Sequence, residues 1–178
     1  MGLRERLLYG KDKAFGEWFS TQCTYVQNNA EVARKRSINQ SVAASIGVNE
    51  DLMGPSVQAL FVTYLVMCIT YDRGATYLEK RLNAISTIIH NELGPSAANI
   101  YAYIMQEIPA QKTAPESILS HMLVDGLNLP LSAEDQAREQ VFAFFDNVLE
   151  ELYVPSLSES FRHNPKAVHN LLETLGRV

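Results

Sequence analysis

From Leu52 to Tyr71 the chain runs twenty residues between Asp51 and Asp72 without a charged side chain. Leu60 to Ile69 is apolar on every face of a helix, and such a helix has to be surrounded by protein or by lipid. Other stretches alternate. Phe15, Trp18, Phe19, Cys23, Val26, Ala30 and Ala33 recur at helical spacing and predict a helix over about 12–36. Ala75, Leu78, Leu82, Ile85 and Ile89 do the same over 75–92, and Ala97, Ile100, Tyr101, Ile104 and Ile108 over 95–108, closed by Pro109. Neither strict alternation nor an Asn-Gly or Asp-Gly turn between strand-like runs is present.

Punctuation supplies the boundaries. Pro55 reads as a first-turn residue, so the central apolar helix is expected over about 55–71, ended by Asp72-Arg73-Gly74. Gly94-Pro95 stops one helix and starts the next. Thr113-Ala114-Pro115-Glu116 has the form of a capping box and opens a short helix that Gly126 should stop. Ser132-Ala133-Glu134-Asp135 is a looser box before a long helix through Val141, Phe144, Phe145 and Val148 to Leu152. Shorter helices are expected at 3–9, 38–46 and 156–163, and a last one from Pro165 to Gly176. The expectation is a single all-α domain over 1–178, a globular bundle of six to eight helices around a central apolar helix.

One internal echo exists. Gly54-Pro55-Ser56 and Gly94-Pro95-Ser96 lie forty residues apart, the period of two-helix solenoid repeats. The likeness stops at the tripeptide, and reuse of Gly as stop and Pro as start explains it.

Composition changes the picture only modestly. Net charge is −5, which argues against general affinity for nucleic acid or anionic lipid. The charge is uneven: residues 1–89 carry ten Lys/Arg against eight Asp/Glu (+2), and residues 90–178 five against twelve (−7). Two cysteines, one inside the apolar run, fit a reducing cytoplasm better than a disulfide framework. The N-terminal Met1-Gly2-Leu3-Arg4-Glu5-Arg6 lacks the apolar core of a signal peptide. The 52–71 run is long enough to span a bilayer, yet Gly54, Pro55, Ser56 and Gln58 dilute it, and a buried helix is expected.

Candidate chemistry is sparse. His121 with Asp125, Glu159 with His163, and His169 with Glu173 are spaced four apart, as surface ion pairs are. No Glu-x-x-His, His-Glu-x-x-His, Gly-x-Ser-x-Gly or phosphate-loop motif occurs, so no cofactor and no metal are expected. Cys23 and Cys68 read as small core residues. Gln40 to Asn49, with Ala43, Gly47 and apolar Val42, Ile46 and Val48, resembles the first helix and turn of a helix-turn-helix, with 38–58 as the whole unit. Its second helix would contain Pro55 and open with Glu50 and Asp51, which disfavours DNA.

The leading expectation is therefore a non-enzymatic cytoplasmic protein that acts by protein–protein contact, as adaptor, chaperone or regulator. Its contact residues would be Glu139, Phe142, Asp146, Glu150 and Glu151 on the acidic helix, facing a basic partner. Phe142 beside Phe144 and Phe145 would also permit a homodimer. The alternative is a small-molecule or lipid-binding bundle with a pocket walled by Tyr64, Tyr101 and Tyr103. A DNA-binding regulator and an enzyme using His121 or His163 rank below both, and a membrane role is not expected.

Overall fold

The computed structural model describes residues 13–37 and 45–151, and among them it shows seven α-helices and no strand. They are α1 (Lys13–Ser37), α2 (Glu50–Arg73), α3 (Ala75–Glu79), α4 (Leu82–Leu93), α5 (Pro95–Gln111), α6 (Pro115–Val124) and α7 (Leu131–Glu151), with a 3₁₀ turn at Asp125–Leu127. The segments expected at 3–9, 156–163 and 165–176, and all but the end of 38–46, lie outside the described residues.

The all-α bundle around a central apolar helix is present. Helix α2 is the hub. Helices α1, α4, α5, α6 and α7 each pack on it and on one another in a closed ring, in the order α1, α4, α5, α6, α7 and back to α1. Leu60, Phe61, Val62, Leu65, Val66 and Met67 of α2 are all buried. Its span has the length and hydropathy to cross a bilayer, but 72% of that window is covered by the protein's own residues. The polar side chains of α2 are handled locally: Thr63 donates to the Ala59 carbonyl at 2.8 Å and Thr70 to the Val66 carbonyl at 2.9 Å. Such bonds to the preceding turn let a hydroxyl enter a core. Ser56 Oγ is buried with no hydrogen-bond partner among the described residues.

The ring helices bury most of the stripes their sequences predict, but Trp18 of α1 and Leu82 of α4, expected in those stripes, are 38% and 40% exposed because each sits at the edge of its apolar face. Phe15, Phe19, Cys23 and Val26 of α1 and Ala97, Ile100, Tyr101, Ile104 and Ile108 of α5 are in the core. Their apolar side chains recur at helical spacing, so one face packs inward while the other stays wet.

Four boundaries differ from expectation, each for a local reason. First, α2 begins at Glu50 and not at Pro55. The Asn49 side chain accepts the Asp51 N–H at 3.0 Å, and Glu50 and Asp51 sit favourably in the positive first turn. Pro55 then falls inside the helix, where its missing N–H leaves the Asp51 carbonyl without its usual donor. The two Gly-Pro-Ser copies thus differ in structure. Gly94 stands between helices at φ 88° and ψ 170°, a backbone region open essentially only to glycine, whereas Gly54 is an ordinary helical residue.

Second, the helix expected over 75–92 is broken at Lys80–Arg81. The Arg81 guanidinium donates to the Tyr77 carbonyl at 2.9 Å, the acceptor its own backbone N–H would use in an unbroken helix. That N–H turns to Leu78 instead, at 2.8 Å. The guanidinium also lies 3.6 Å from the centre of the Tyr77 ring and 5.3 Å from that of Phe15, so stacking on two aromatic rings holds the break.

Third, α5 passes Pro109 and ends at Gln111, where left-handed Lys112 donates its N–H to Ile108 at 2.9 Å. Fourth, Gly126 is not the stop for α6. The chain tightens into the 3₁₀ turn, and Asn128 takes the left-handed conformation at φ 51°.

Candidate protein-interaction face

Helix α7 carries the residues that the sequence singled out for contact. Its inward face, formed by Ala137, Val141, Phe144, Phe145, Val148 and Leu149, is buried where α7 packs on α6, α1 and α2. Phe144 and Phe145 are therefore core residues and supply no apolar face for self-association; that expectation is corrected. Phe142 remains 39% exposed.

Glu139 and Asp146 are exposed on the same helix. Seven residues of an α-helix return to within about 20° of the starting direction and advance about 10 Å. The two carboxylates therefore share one outward line, with Phe142 between them along the axis. Neither has an ion-pair partner among the described residues. Glu150 follows the same register, but its side chain and that of Glu151 lie outside the described residues.

The acids at the start of α7 are different. Arg138 donates to Asp125 Oδ1 through Nη2 at 2.8 Å and Nε at 3.1 Å, to Asp135 through Nη1 at 3.4 Å, and to Glu134 as well. The hydrogen bond to Asp125, with the nearby carboxylate charges, raises the guanidinium pKa above its ordinary value. One cation is thus shared among three acids, which leaves that cluster at a net −2, while Glu139 and Asp146 further along the helix have no cation beside them among the described residues. Since Asp125 is held by Arg138, it forms no ion pair with His121, whose Nδ1 lies 2.7 Å from the Ser117 carbonyl oxygen. The other two His–carboxylate pairs lie outside the described residues, and among those described no three His, Cys, Asp or Glu gather as a metal site.

The three tyrosines do not converge on one pocket. Tyr64 donates from its hydroxyl to Glu116 Oε1 at 2.6 Å, towards α6. Tyr101 is buried and close enough to Cys23 of α1 for the thiol to influence it. Tyr103 is 39% exposed on the opposite side of α5. A cleft of about 280 Å³ lies elsewhere, lined by Ser45, Ile46, Leu129, Ala133, Gln136, Ala137 and Gln140, and it contains no charged group.

Two interhelical polar groups were not foreseen. In the first, Glu116 leaves the expected capping role: the N-cap of α6 is Ala114, which has no side chain to cap with, and Glu116 turns inward, 4% exposed, to meet Tyr64. In the second, Ser20 of α1 donates to Glu92 Oε1 of α4 at 2.7 Å beside Cys23. Burial, reinforced by the Glu92 charge, pushes the Cys23 thiol up to about 12. Cys23 is thus a neutral thiol near neutral pH and a poor nucleophile. Sequence spacing could not pair Ser20 with Glu92 or Tyr64 with Glu116, because each link crosses between helices.

The helix-turn-helix resemblance falls partly on residues outside those described. Gly47 does turn the chain, at φ 81°. The helix that follows is α2, which is enclosed by the others and exposes Glu50, Asp51 and Leu52 at its start, so a phosphate backbone would meet negative charge. No protein-family model, no curated protein and no solved structure matches the chain.

Proposed function

We propose that the protein works by binding another protein through the outward face of α7, as a non-enzymatic adaptor, chaperone or regulator in the cytoplasm. The observation that carries this reading is the line of exposed Glu139, Phe142 and Asp146. Two carboxylates without a counter-charge flank an exposed aromatic ring, on a helix whose other face is fixed in the core. Aromatic anchors bordered by charge are typical of contact surfaces, and the charge selects the partner and speeds encounter. The partner is expected to present Lys or Arg around an apolar recess. By helical period Glu150 continues this line, whereas Glu151, about 120° round the helix from Glu139, leaves it.

Affinity capture from the native host with the whole chain tests this. Glu139→Lys with Asp146→Lys should release the captured protein, as should raised salt, while Phe142→Ala weakens capture at every salt concentration. Retention of the partner by the double charge-reversal variant would exclude this face.

The ligand-binding alternative has the cleft between Ser45–Ile46 and α7 for support in place of the three tyrosines. Its volume lies slightly below the usual range of small-molecule sites. A melting-temperature rise with a metabolite or lipid, abolished by Ala133→Trp, would favour it.

A further inference from the structure

The cleft between Ser45–Ile46 and α7 borders the acidic line of the same helix. Ile46, Leu129, Ala133 and Ala137 give the cleft apolar walls, and Gln136 and Gln140, both exposed, form its rim on α7. Helical period fixes what lies beyond that rim. Gln136, Glu139 and Phe142 are spaced three apart, so each step turns about 60° and rises about 4.5 Å. Glu139 therefore stands midway between the cleft and Phe142. On a helix surface of about 5.5 Å radius, each step spans about 7 Å and the whole path about 13 Å. Across the surface the order is an uncharged cleft, a carboxylate with no cation beside it among the described residues, and a 39% exposed ring. Arg138, the only Lys or Arg of α7, is held by Asp125, Glu134 and Asp135.

We infer that this path binds an extended peptide segment of the partner: an aliphatic side chain enters the cleft, a Lys or Arg two positions away meets Glu139, and an apolar residue two positions further covers Phe142. The inference rests on the α7 reading above and adds the form of the partner. Spacing favours an extended segment. In such a chain alternate side chains point the same way about 6.7 Å apart, which matches both steps of the path. Charge complementarity sets the order of residue types. The cleft walls carry no charge, so an aliphatic group enters without stripping water from an ion. Glu139 calls for a cation, and Asp146, one turn beyond Phe142, adds to the negative field. The amides of Gln136 and Gln140 can each donate and accept, which suits the unpaired main-chain groups of a segment that passes over them. A cleft of about 280 Å³ is small for a whole ligand and suits one side chain with part of its main chain.

Selection of random twelve-residue peptides, displayed on phage, against the immobilised whole chain tests the inference. Enriched peptides should share a Lys or Arg flanked two positions away on each side by apolar residues, at least one of them aliphatic. A fluorescent synthetic peptide of that consensus should lose affinity about tenfold or more with Ala133→Trp, which fills the cleft, and with Gln136→Trp, which covers its rim. Glu139→Lys should weaken it as strongly. Gln136 is exposed, so its variant keeps the test valid should the change at half-buried Ala133 disturb the circular dichroism. Serine in place of the aliphatic residue of the peptide should cost about tenfold with the wild type and little more with either Trp variant. Peptides that lose affinity with Glu139→Lys yet bind both Trp variants as tightly as the wild type would overturn the inference and leave the α7 reading standing. Enrichment of no peptide, or of peptides without the pattern, would overturn it too, and the capture experiment above judges the α7 reading independently.

Discussion

The Tyr64 hydroxyl stands 2.6 Å from Glu116 Oε1, joining the hub helix to the first turn of α6. A carboxylate so deeply buried is costly unless it is well partnered. Here the Tyr64 phenol supplies a hydrogen bond to Oε1 in the first turn of α6. Tyr64→Phe removes the donor and keeps the ring, so stability should fall by about 1–3 kcal/mol in urea denaturation. An unchanged midpoint would show that the link contributes nothing.

The two Gly-Pro-Ser copies invite opposite outcomes from one substitution. At Gly94 the surroundings leave room for a Cβ, so the whole penalty of Gly94→Ala is backbone strain at φ 88°, about 1–3 kcal/mol. At Gly54 there is also room for a Cβ and the backbone is helical, so Gly54→Ala should stabilise by up to about 1 kcal/mol. Paired denaturation curves decide it; the same sign for both variants would contradict the two conformations.

Alkaline pH should destabilise the fold through Cys23 and Tyr101. Burial raises both, Cys23 from 9.0 to about 12 and Tyr101 from 10.0 upward. A raised folded value means that the unfolded chain loses its proton first. The stability these groups contribute is thus complete below about pH 9. It declines as pH rises from there towards 12, at up to about 1.4 kcal/mol per pH unit for each group. Cys23→Ala should flatten the part of the decline that begins near pH 9. The native protein should also resist thiol alkylation at pH 8, since both Cys23 and Cys68 are buried.

Arg81 holds the break between α3 and α4 by donating to the Tyr77 carbonyl and stacking on Tyr77 and Phe15. Arg81→Lys keeps the charge but loses the planar stack. A loss of about 1 kcal/mol is expected, with increased amide exchange at 77–82. Unaltered exchange there would assign the break to another cause.

Repetition along single helices was legible before the structure. The stripe of α5, and Phe15, Phe19, Cys23 and Val26 of α1, became core residues because one apolar face suffices to orient a helix, while Trp18 at the edge of that face is exposed. Legibility ended where a residue answers to another helix. Glu116 looked like a capping residue because its spacing from Thr113 is right, and only the position of Tyr64 explains why it turns inward. Gly54 and Gly94 sit in the same tripeptide, but Asn49 caps one helix early and nothing equivalent precedes Pro95. Of the proposed contact residues, Glu139, Phe142 and Asp146 could be placed on one face from helical period alone. That Arg138 draws Asp125 into the first turn of α7 depends on how α6 and the 3₁₀ turn approach it.

Everything else depends on α2 being enclosed by the five helices around it. Hydrogen exchange of the purified chain, resolved by residue, measures this directly. Amides from Leu60 to Ile69 should be the slowest in the molecule and should open only with global unfolding. Exchange through that segment as fast as in the exposed turns at Lys80 and Asn128 would contradict the enclosure of the central helix.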